Sequence, residues 1–327
     1  MPFRSGFVAI IGRPNAGKST LLNRVVGQKI AIVTHKAQTT RNRIVGVVNV
    51  AAKKGKHPAA QIVLVDTPGV HKPGSPMERR MMQEVYDAVG EHSLVLLIVD
   101  AKRTFDEGDE YVLELLKRAN AQAVLLLNKI DLIAKDKLLP LIDFYRGKYE
   151  FKDIVPISAE KGQGVQELVD ELVGLLPEGP RYFPQDQVTD QPERFMVAEL
   201  IREKILLLTG EEVPYAAAVV VERWEEPASL KKGRDGKLPV TKIAAAIFVE
   251  RTGQKAIVIG KGGEMLKRIG TTARKDIESL LGTRVFLELF VKVQEEWRSS
   301  RGFVEDLDWR RQMEQIAEKQ ATEENED

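Results

Sequence analysis

Eight residues constrain this chain more than any others: Gly12-Arg13-Pro14-Asn15-Ala16-Gly17-Lys18-Ser19, followed by Thr20. They match G-x-x-x-x-G-K-[ST] and stand between an apolar run at 7–11 and an amphipathic stretch at Lys18–Val26. A strand, a glycine-bearing turn and a helix in that order gather backbone N–H groups and a helix N-terminus around one point. That arrangement suits phosphate oxygens. Lys18 is then placed for the β- and γ-phosphates, and the Ser19 hydroxyl for Mg²⁺. An ordinary glycine-rich turn is the alternative, disfavoured by the full pattern in its strand-to-helix setting. The motif specifies a nucleoside triphosphate but not its base.

The pattern continues as an α/β domain. Between residues 7 and 176, apolar runs at 7–11, 44–50, 61–65, 94–99, 123–127 and 154–157 alternate with helical windows at 18–26, 77–90, 107–118, 138–149 and 165–176. Four of the runs are almost continuously apolar, as strands covered by helices on both faces must be. Only a short polar turn, Lys53-Lys54-Gly55-Lys56-His57-Pro58, separates the runs at 44–50 and 61–65. It cannot hold a crossover helix, so this pair is predicted antiparallel in an otherwise parallel sheet.

Three further motifs sit at strand ends. Asp66-Thr67-Pro68-Gly69 closes the run at 61–65, where a carboxylate is placed to hold Mg²⁺ through water and a glycine N–H to meet a γ-phosphate. Asn128-Lys129-Ile130-Asp131 follows 123–127; the Asp131 carboxylate matches the N1–H and amine of guanine, which selects GTP, while Asn128 and Lys129 brace the pocket. Ser158-Ala159 follows 154–157 and offers a backbone N–H to the guanine O6. Each is weak alone; the order and the strand-end placement give them weight.

Residues 177–193 carry four prolines and no periodicity, which predicts an ordered linker. Beyond it, 194–302 reads as helix, strand, strand, short helix, glycine loop, long helix and strand, a small α+β layer domain. Its loop is Val258-Ile259-Gly260-Lys261-Gly262-Gly263, with Lys255, Lys267 and Arg268 nearby as candidate nucleic-acid contacts. The glycines would let a sugar–phosphate backbone approach closely. A merely solvated basic face is the alternative. The acidic stretch 303–327 is expected to fray.

The motifs at 12–19, 66–69, 128–131 and 158–159 resemble the G1, G3, G4 and G5 elements of translation-factor-class GTPases. That resemblance implies a G2 element within Lys36-Ala37-Gln38-Thr39-Thr40-Arg41, where Thr40 aligns with the threonine that meets Mg²⁺ and the γ-phosphate. It assigns catalysis to Lys18, Thr40 and Gly69, GTP binding to residues 12–20, 66–70, 128–131 and 158–159, and Mg²⁺ to Ser19, Thr40 and, through water, Asp66. Val70 stands where related enzymes carry a water-orienting glutamine, so slow intrinsic turnover is expected. Asn15 is similar to an asparagine that ligates K⁺ in some relatives, with turn stabilisation as the alternative.

The loop at 260–263 and the αββααβ order resemble a type II KH domain. Together, residues 5–300 resemble the Era-like GTPase family: a P-loop GTPase domain with a mostly parallel mixed sheet, then a small α+β KH type II domain. The boundaries expected are 1–176, linker 177–193, KH 194–302 and tail 303–327. The resemblance implies GTP-dependent binding of 16S rRNA near its 3′ end, a role in small-subunit maturation, and peripheral contact with the cell membrane. A cytoplasmic monomer is expected. Two other readings stand beside it: an RNA chaperone with structural GTP, and a membrane or septal scaffold GTPase with an unrelated C-terminal domain.

Composition narrows the field. There is no cysteine, which removes disulfides, thiolate catalysis and iron–sulfur clusters, and four histidines with no H-E-x-x-H disfavour a zinc hydrolase. No run of eighteen apolar residues occurs, and no basic amphipathic anchor is evident. A formal charge of +1 hides a segregation: about +5 on 194–302 against −6 on 303–327. The basic loops at 53–58 and 231–237 are candidate phosphate contacts, with solvated turns as the alternative.

Overall fold

The computed structural model describes residues 2–92, 94–210, 212–227 and 239–323. It divides into two compact units: 1–73 with 78–190, and 74–77 with 191–327. The basic loop at 231–237 lies outside the described residues.

The first unit is built on a six-stranded sheet in the order β2-β3-β1-β4-β5-β6. The strands are β1 (Arg4–Ile11), β2 (Ile44–Val50), β3 (Ala60–Asp66), β4 (Leu94–Asp100), β5 (Ala123–Asn128) and β6 (Asp153–Pro156). All pairings are parallel except β2 with β3, where the connection 51–59 is too short for a crossover helix. Every residue of β3 and β5 is buried, which is why those segments read as unbroken apolar runs. Helices α1 (Lys18–Val26), α2 (Pro76–Glu91), α3 (Glu107–Ala119), α4 (Leu138–Arg146) and α5 (Val165–Leu175) cover it. Helix α4 stops three residues short of the periodic stretch that predicted it. Gly147 caps it, and Tyr149 and Phe151 then pack together with ring centres 5.1 Å apart instead of extending the helix.

The lysine-rich turn is held down on one side. Asp170 of α5, with a side chain only 4% exposed, receives Lys53 at 3.1 Å, Lys56 at short range and His57 Nε2 at 3.2 Å. These hydrogen bonds hold the Asp170 carboxyl below the usual range, Lys56 contributing most. Two of the three lysines are therefore committed to the fold.

The proline-rich linker is ordered, and its partners are specific. Gln61, fully buried on β3, accepts the Tyr182 and Phe183 N–H groups at 2.8 and 3.0 Å and donates to the Phe183 carbonyl at 2.9 Å. Further along, the Val47 N–H donates to Val188 O at 2.9 Å and Thr189 Oγ1 donates to Val45 O at 2.7 Å. The linker thus covers the open edge of β2, a row of backbone groups that would otherwise be unpaired.

The second unit holds α6 (Glu193–Leu208), β7 (Ala218–Glu225), β8 (Val240–Val249), α7 (Thr252–Ile259), α8 (Glu264–Leu281) and β9 (Arg284–Val293). Strand β8 is central, antiparallel to β7 and parallel to β9. The core joins Val197, Ile201 and Ile205 of α6 to Ile243, Ala245 and Ile247 of β8 and to Ile269, Ala273 and Ile277 of α8.

The expectation that the chain frays after 302 is wrong for 303–323. Helices α9 (Arg301–Asp306) and α10 (Trp309–Glu323) form there. Trp297 is fully buried with Nε1 donating to Ala216 O at 2.8 Å, and Phe303 packs against it and against Phe248, at 5.8 and 5.1 Å. Val304 is buried beside them, and Glu305 pairs with Arg301 and Arg311. An aromatic anchor and neutralised charges outweigh the acidic composition. No helix among the described residues is long and apolar enough to cross a membrane.

Replacing Gln61 by Leu should lower stability by about 1–3 kcal/mol, since it strands two N–H groups and a carbonyl against a buried wall. Urea denaturation measures this, and protease cleavage within 177–190 should accelerate in parallel. An unchanged midpoint and cleavage rate would show that the linker is held elsewhere.

Candidate functional site

The parallel pairing of β1 with β3 sets Ile10 opposite Asp66, so the phosphate loop and the D-T-P-G segment leave the sheet side by side. In the loop Gly12, Asn15 and Gly17 all have positive φ, which turns successive N–H groups to one side. Gly17 is needed twice, because a Cβ there would strike the Asn128 amide. Gly69 closes the other side: a Cβ on it would sit 2.7–2.9 Å from Pro14.

Lys18 is only 6% exposed and lies across the loop, with Nζ donating to the carbonyls of Gly12 and Arg13 at 3.2 and 3.0 Å. Burial pulls its pKa down to about 8, against the opposing pull of Asp66. Asp66 is fully buried, and burial pushes its pKa up to about 6 in spite of Lys18, Ser19, Thr40 and the Thr67 N–H. Three predicted metal ligands meet here. Ser19 Oγ donates to Asp66 Oδ2 at 2.6 Å and lies 2.9 Å from Thr40 Oγ1, itself 3.4 Å from the same carboxylate oxygen. The other oxygen, Asp66 Oδ1, is buried with no hydrogen-bond partner among the described residues. A hard cation with a water shell fits an all-oxygen set with one orphaned carboxylate oxygen.

The base-side motifs are braced to the loop. Asn128 donates to Ala16 O at 2.7 Å and accepts the Ala159 N–H at 2.9 Å, so a single amide ties three motifs together. Lys129 donates to Asn15 O at 2.8 Å and pairs with Asp100 at 2.7 Å. Asp131, in a single 3-10 turn with Ile130, is exposed, and Ser158 is buried. Thr67 Oγ1 donates to Ile10 O at 2.9 Å, and Pro68 follows it into the turn before Gly69.

A cleft of about 260 Å³ opens beside Pro14, Asn15, Gly17, Lys18, Ser19 and Thr20, with Thr40, Gly69 and Lys129 on its other walls. Asp131, Ser158 and Ala159 are not on its wall. Two expected contacts are revised. The Arg13 side chain leaves the loop for Asp106, and the Val70 side chain is buried in the core while its N–H donates to Gly12 O at 3.0 Å. The Val70 N–H is thus spent on the loop, and of these two only the backbone of Arg13 is left to meet a phosphate. Residues 32–35 also line the cleft, which sequence reasoning missed. The signal was Asn23, whose amide accepts the N–H groups of Ile30 and Ala31 at 2.9 Å and so folds that loop back.

In the second unit Gly260, Gly262 and Gly263 all have positive φ, turning the chain between α7 and α8. Lys261, Gly262, Lys267 and Arg268 are exposed, while Lys255 is half-buried. Next to the loop lies a groove of about 380 Å³ between α8 and β9, floored by Leu266, Leu287 and Leu289 and edged by Lys267 and Arg274. Of the predicted residues only Gly263 and Lys267 line it. The apolar floor was missed because nothing local distinguishes those leucines from the core-facing positions of the same helix and strand.

Fold and site together define a P-loop GTPase joined to a KH domain. Residues 7–129 match the family described as a 50S ribosome-binding GTPase, and 212–298 match the KH domain. The chain is 50% identical over 295 residues to the GTPase Era of Syntrophus aciditrophicus (strain SB), covering 90% of this chain and 92% of that protein. It is 52% identical over 307 residues to the GTPase Era of Geotalea uraniireducens (strain Rf4), covering 93% and 97%. A crystal structure of Era in complex with MgGDPNP and nucleotides 1506–1542 of 16S ribosomal RNA superposes with TM-score 0.85 at 39% identity, covering 93% of this chain and 98% of that one. The chain belongs to the Era family of GTPases. It binds guanine nucleotide and hydrolyses GTP, and the alternative of an unrelated C-terminal domain falls away.

The two perturbed groups have opposite signatures. The folded chain holds the Asp66 proton more tightly than the unfolded chain, so that contribution to stability is present at low pH and lost as pH rises from about 4 through 6. For Lys18 the contribution is present above the ordinary lysine value and lost as pH falls through about 8. Near neutrality both charges are held at a cost. In nucleotide-free protein, Asp66→Asn should therefore gain stability relative to the parent as pH rises between 4 and 6. Thermal unfolding of both proteins across that range measures it; a pH-independent difference would contradict the assignment.

Proposed function

We propose that this protein is a GTP-driven switch that binds 16S rRNA through its KH domain and assists small-subunit maturation, as a cytoplasmic monomer using Mg²⁺. The observation that carries the reading is the pairing of a complete phosphate site with a basic-edged, apolar-floored groove beside a G-x-x-G loop. Such a groove suits single-stranded RNA: exposed bases take the leucine floor, and the glycine turn admits the backbone. The relative whose structure contains 16S rRNA covers both units, which supports the same reading.

In the hydrolytic step, Lys18 moves from the Gly12 and Arg13 carbonyls to the β- and γ-phosphates and neutralises charge that develops on them. Its poise near pKa 8 keeps it mostly protonated at neutral pH. Ser19 and Thr40 would hold Mg²⁺ directly and Asp66 through water, the ion supplying charge neutralisation between the phosphates. The Gly69 N–H would meet the γ-phosphate, from a residue that lines the cleft. Val70, buried in the core, has no means of orienting water, which agrees with slow intrinsic turnover.

The switch would act through segments already linked. Gln38 Nε2 donates to Glu78 Oε1 at 2.9 Å, joining the loop before Thr40 to α2. Strand β2 leads out of the Thr40 loop, and its outer edge carries the linker at Val188 and Thr189. Ordering of the loop on a γ-phosphate would thus pull on the strand that holds the linker.

GTP-loaded protein should bind the 3′-terminal segment of 16S rRNA more tightly than GDP-loaded protein, with affinity falling steeply as salt rises. Gly262→Asp, which adds negative charge in open space, should cost about tenfold or more in RNA affinity, with nucleotide affinity as the control. RNA binding indifferent to nucleotide, or ribosome assembly completed by a Lys18→Ala variant unable to bind GTP, would favour the RNA-chaperone reading. We extend the reading to K⁺ at Asn15, whose amide reaches the His35 carbonyl at 2.7 Å. Hydrolysis should be faster in K⁺ than in Na⁺ buffer, and equal rates would remove that role.

A further inference from the structure

Arg13 is the second residue of the phosphate loop, yet its side chain ends on α3. Its Nη1 pairs closely with Asp106 Oδ1 and lies 3.5 Å from Asp109 Oδ2. Both carboxylates are fixed by the helix they begin. Asp106 caps α3 by accepting the Gly108 N–H at 2.7 Å, and Asp109 accepts the Asp106 N–H at 3.1 Å, a reciprocal capping box. Arg103 holds the second Asp106 oxygen at 3.1 Å.

Gly108 bears on the same contact. It lies in the first turn of α3 with no positive φ, so its backbone conformation does not call for glycine, and glycine is unfavourable in a helix. What calls for it is space. A Cβ there would sit 2.7 Å from Arg13 Nε and Nη1, so the bare backbone is what lets the guanidinium lie against the first turn. At its other end, residue 13 shapes the loop: its carbonyl accepts Lys18 Nζ at 3.0 Å and the Ala16 N–H at 3.3 Å.

We infer that Asp106, Gly108 and Asp109 form a seat on α3 that positions the phosphate loop through Arg13. These three are positioning residues for nucleotide binding, although none lines the cleft. Fastening the loop from behind keeps its carbonyls and N–H groups in the bound arrangement before nucleotide arrives, which reduces the ordering cost of binding.

The test is Gly108→Ala. As a change in the helix alone it should leave nucleotide affinity untouched and tend to raise the melting temperature, because alanine is the better helix former. As a block to the Arg13 seat it should weaken GTP and GDP binding alike by about fivefold or more and raise KM far more than it lowers kcat. A double-mutant cycle of Arg13→Gln and Asp106→Asn gives a second reading, with Asn chosen because it caps a helix as well as Asp does. The double variant should bind nucleotide no worse than the weaker single variant. Unchanged affinity in Gly108→Ala, or additive losses in the cycle, would overturn the inference. Should Gly108→Ala fail to fold, the cycle alone decides.

Discussion

The parallel register of β1 on β3 is the constraint on which the rest depends. With Ile10 opposite Asp66, both strands end at one level. The loop after β1 and the carboxylate ending β3 must then share one small volume. The Ser19–Asp66 hydrogen bond at 2.6 Å and the Lys18 ammonium nearby follow from that register. A one-residue slip would turn Asp66 to the other face of the sheet and dissolve the site.

Such a site is held at a cost. A lysine drawn to pKa about 8 and a carboxylate raised to about 6 are charges the fold would sooner neutralise, and Asp66 Oδ1 has no hydrogen-bond partner among the described residues. The surroundings hold them in place regardless: Asn128 binds the loop to two other motifs, Gly69 packs on Pro14, and Arg13 is fastened to α3. Strain of this kind at a functional centre is offset by rigid packing elsewhere, here the continuous core of β3, β4 and β5.

Motifs were legible wherever the chemistry is local. The loop at 12–19, Asp66, the N-K-I-D run and the G-x-x-G turn each depend on near neighbours in the chain. The αββααβ order was legible too, since the helix Glu264–Leu281 carries strong periodicity and the strand Arg284–Val293 is rich in valine and phenylalanine. Contacts between distant segments were not. Nothing local to Gln61 says that it clamps Tyr182 and Phe183, 121 and 122 residues away. Arg13 read as a phosphate ligand because its place in the motif is visible and its partner, 93 residues on, is not. The acidic tail read as frayed because composition shows charge but not the Trp297–Phe303 contact that seats it.

The sequence alone settled the class of chemistry, a P-loop GTPase domain followed by a KH domain, each set by residue types at short spacing. It also determined the alternation of strand and helix, because buried strands must be apolar. Tertiary structure alone decided which side chains line the cleft, where Val70 and Arg13 go, and how the linker is strapped to β2. The physical reason is the same in each case. Side-chain direction and partner depend on strand register and helix packing, which are settled by the whole core together.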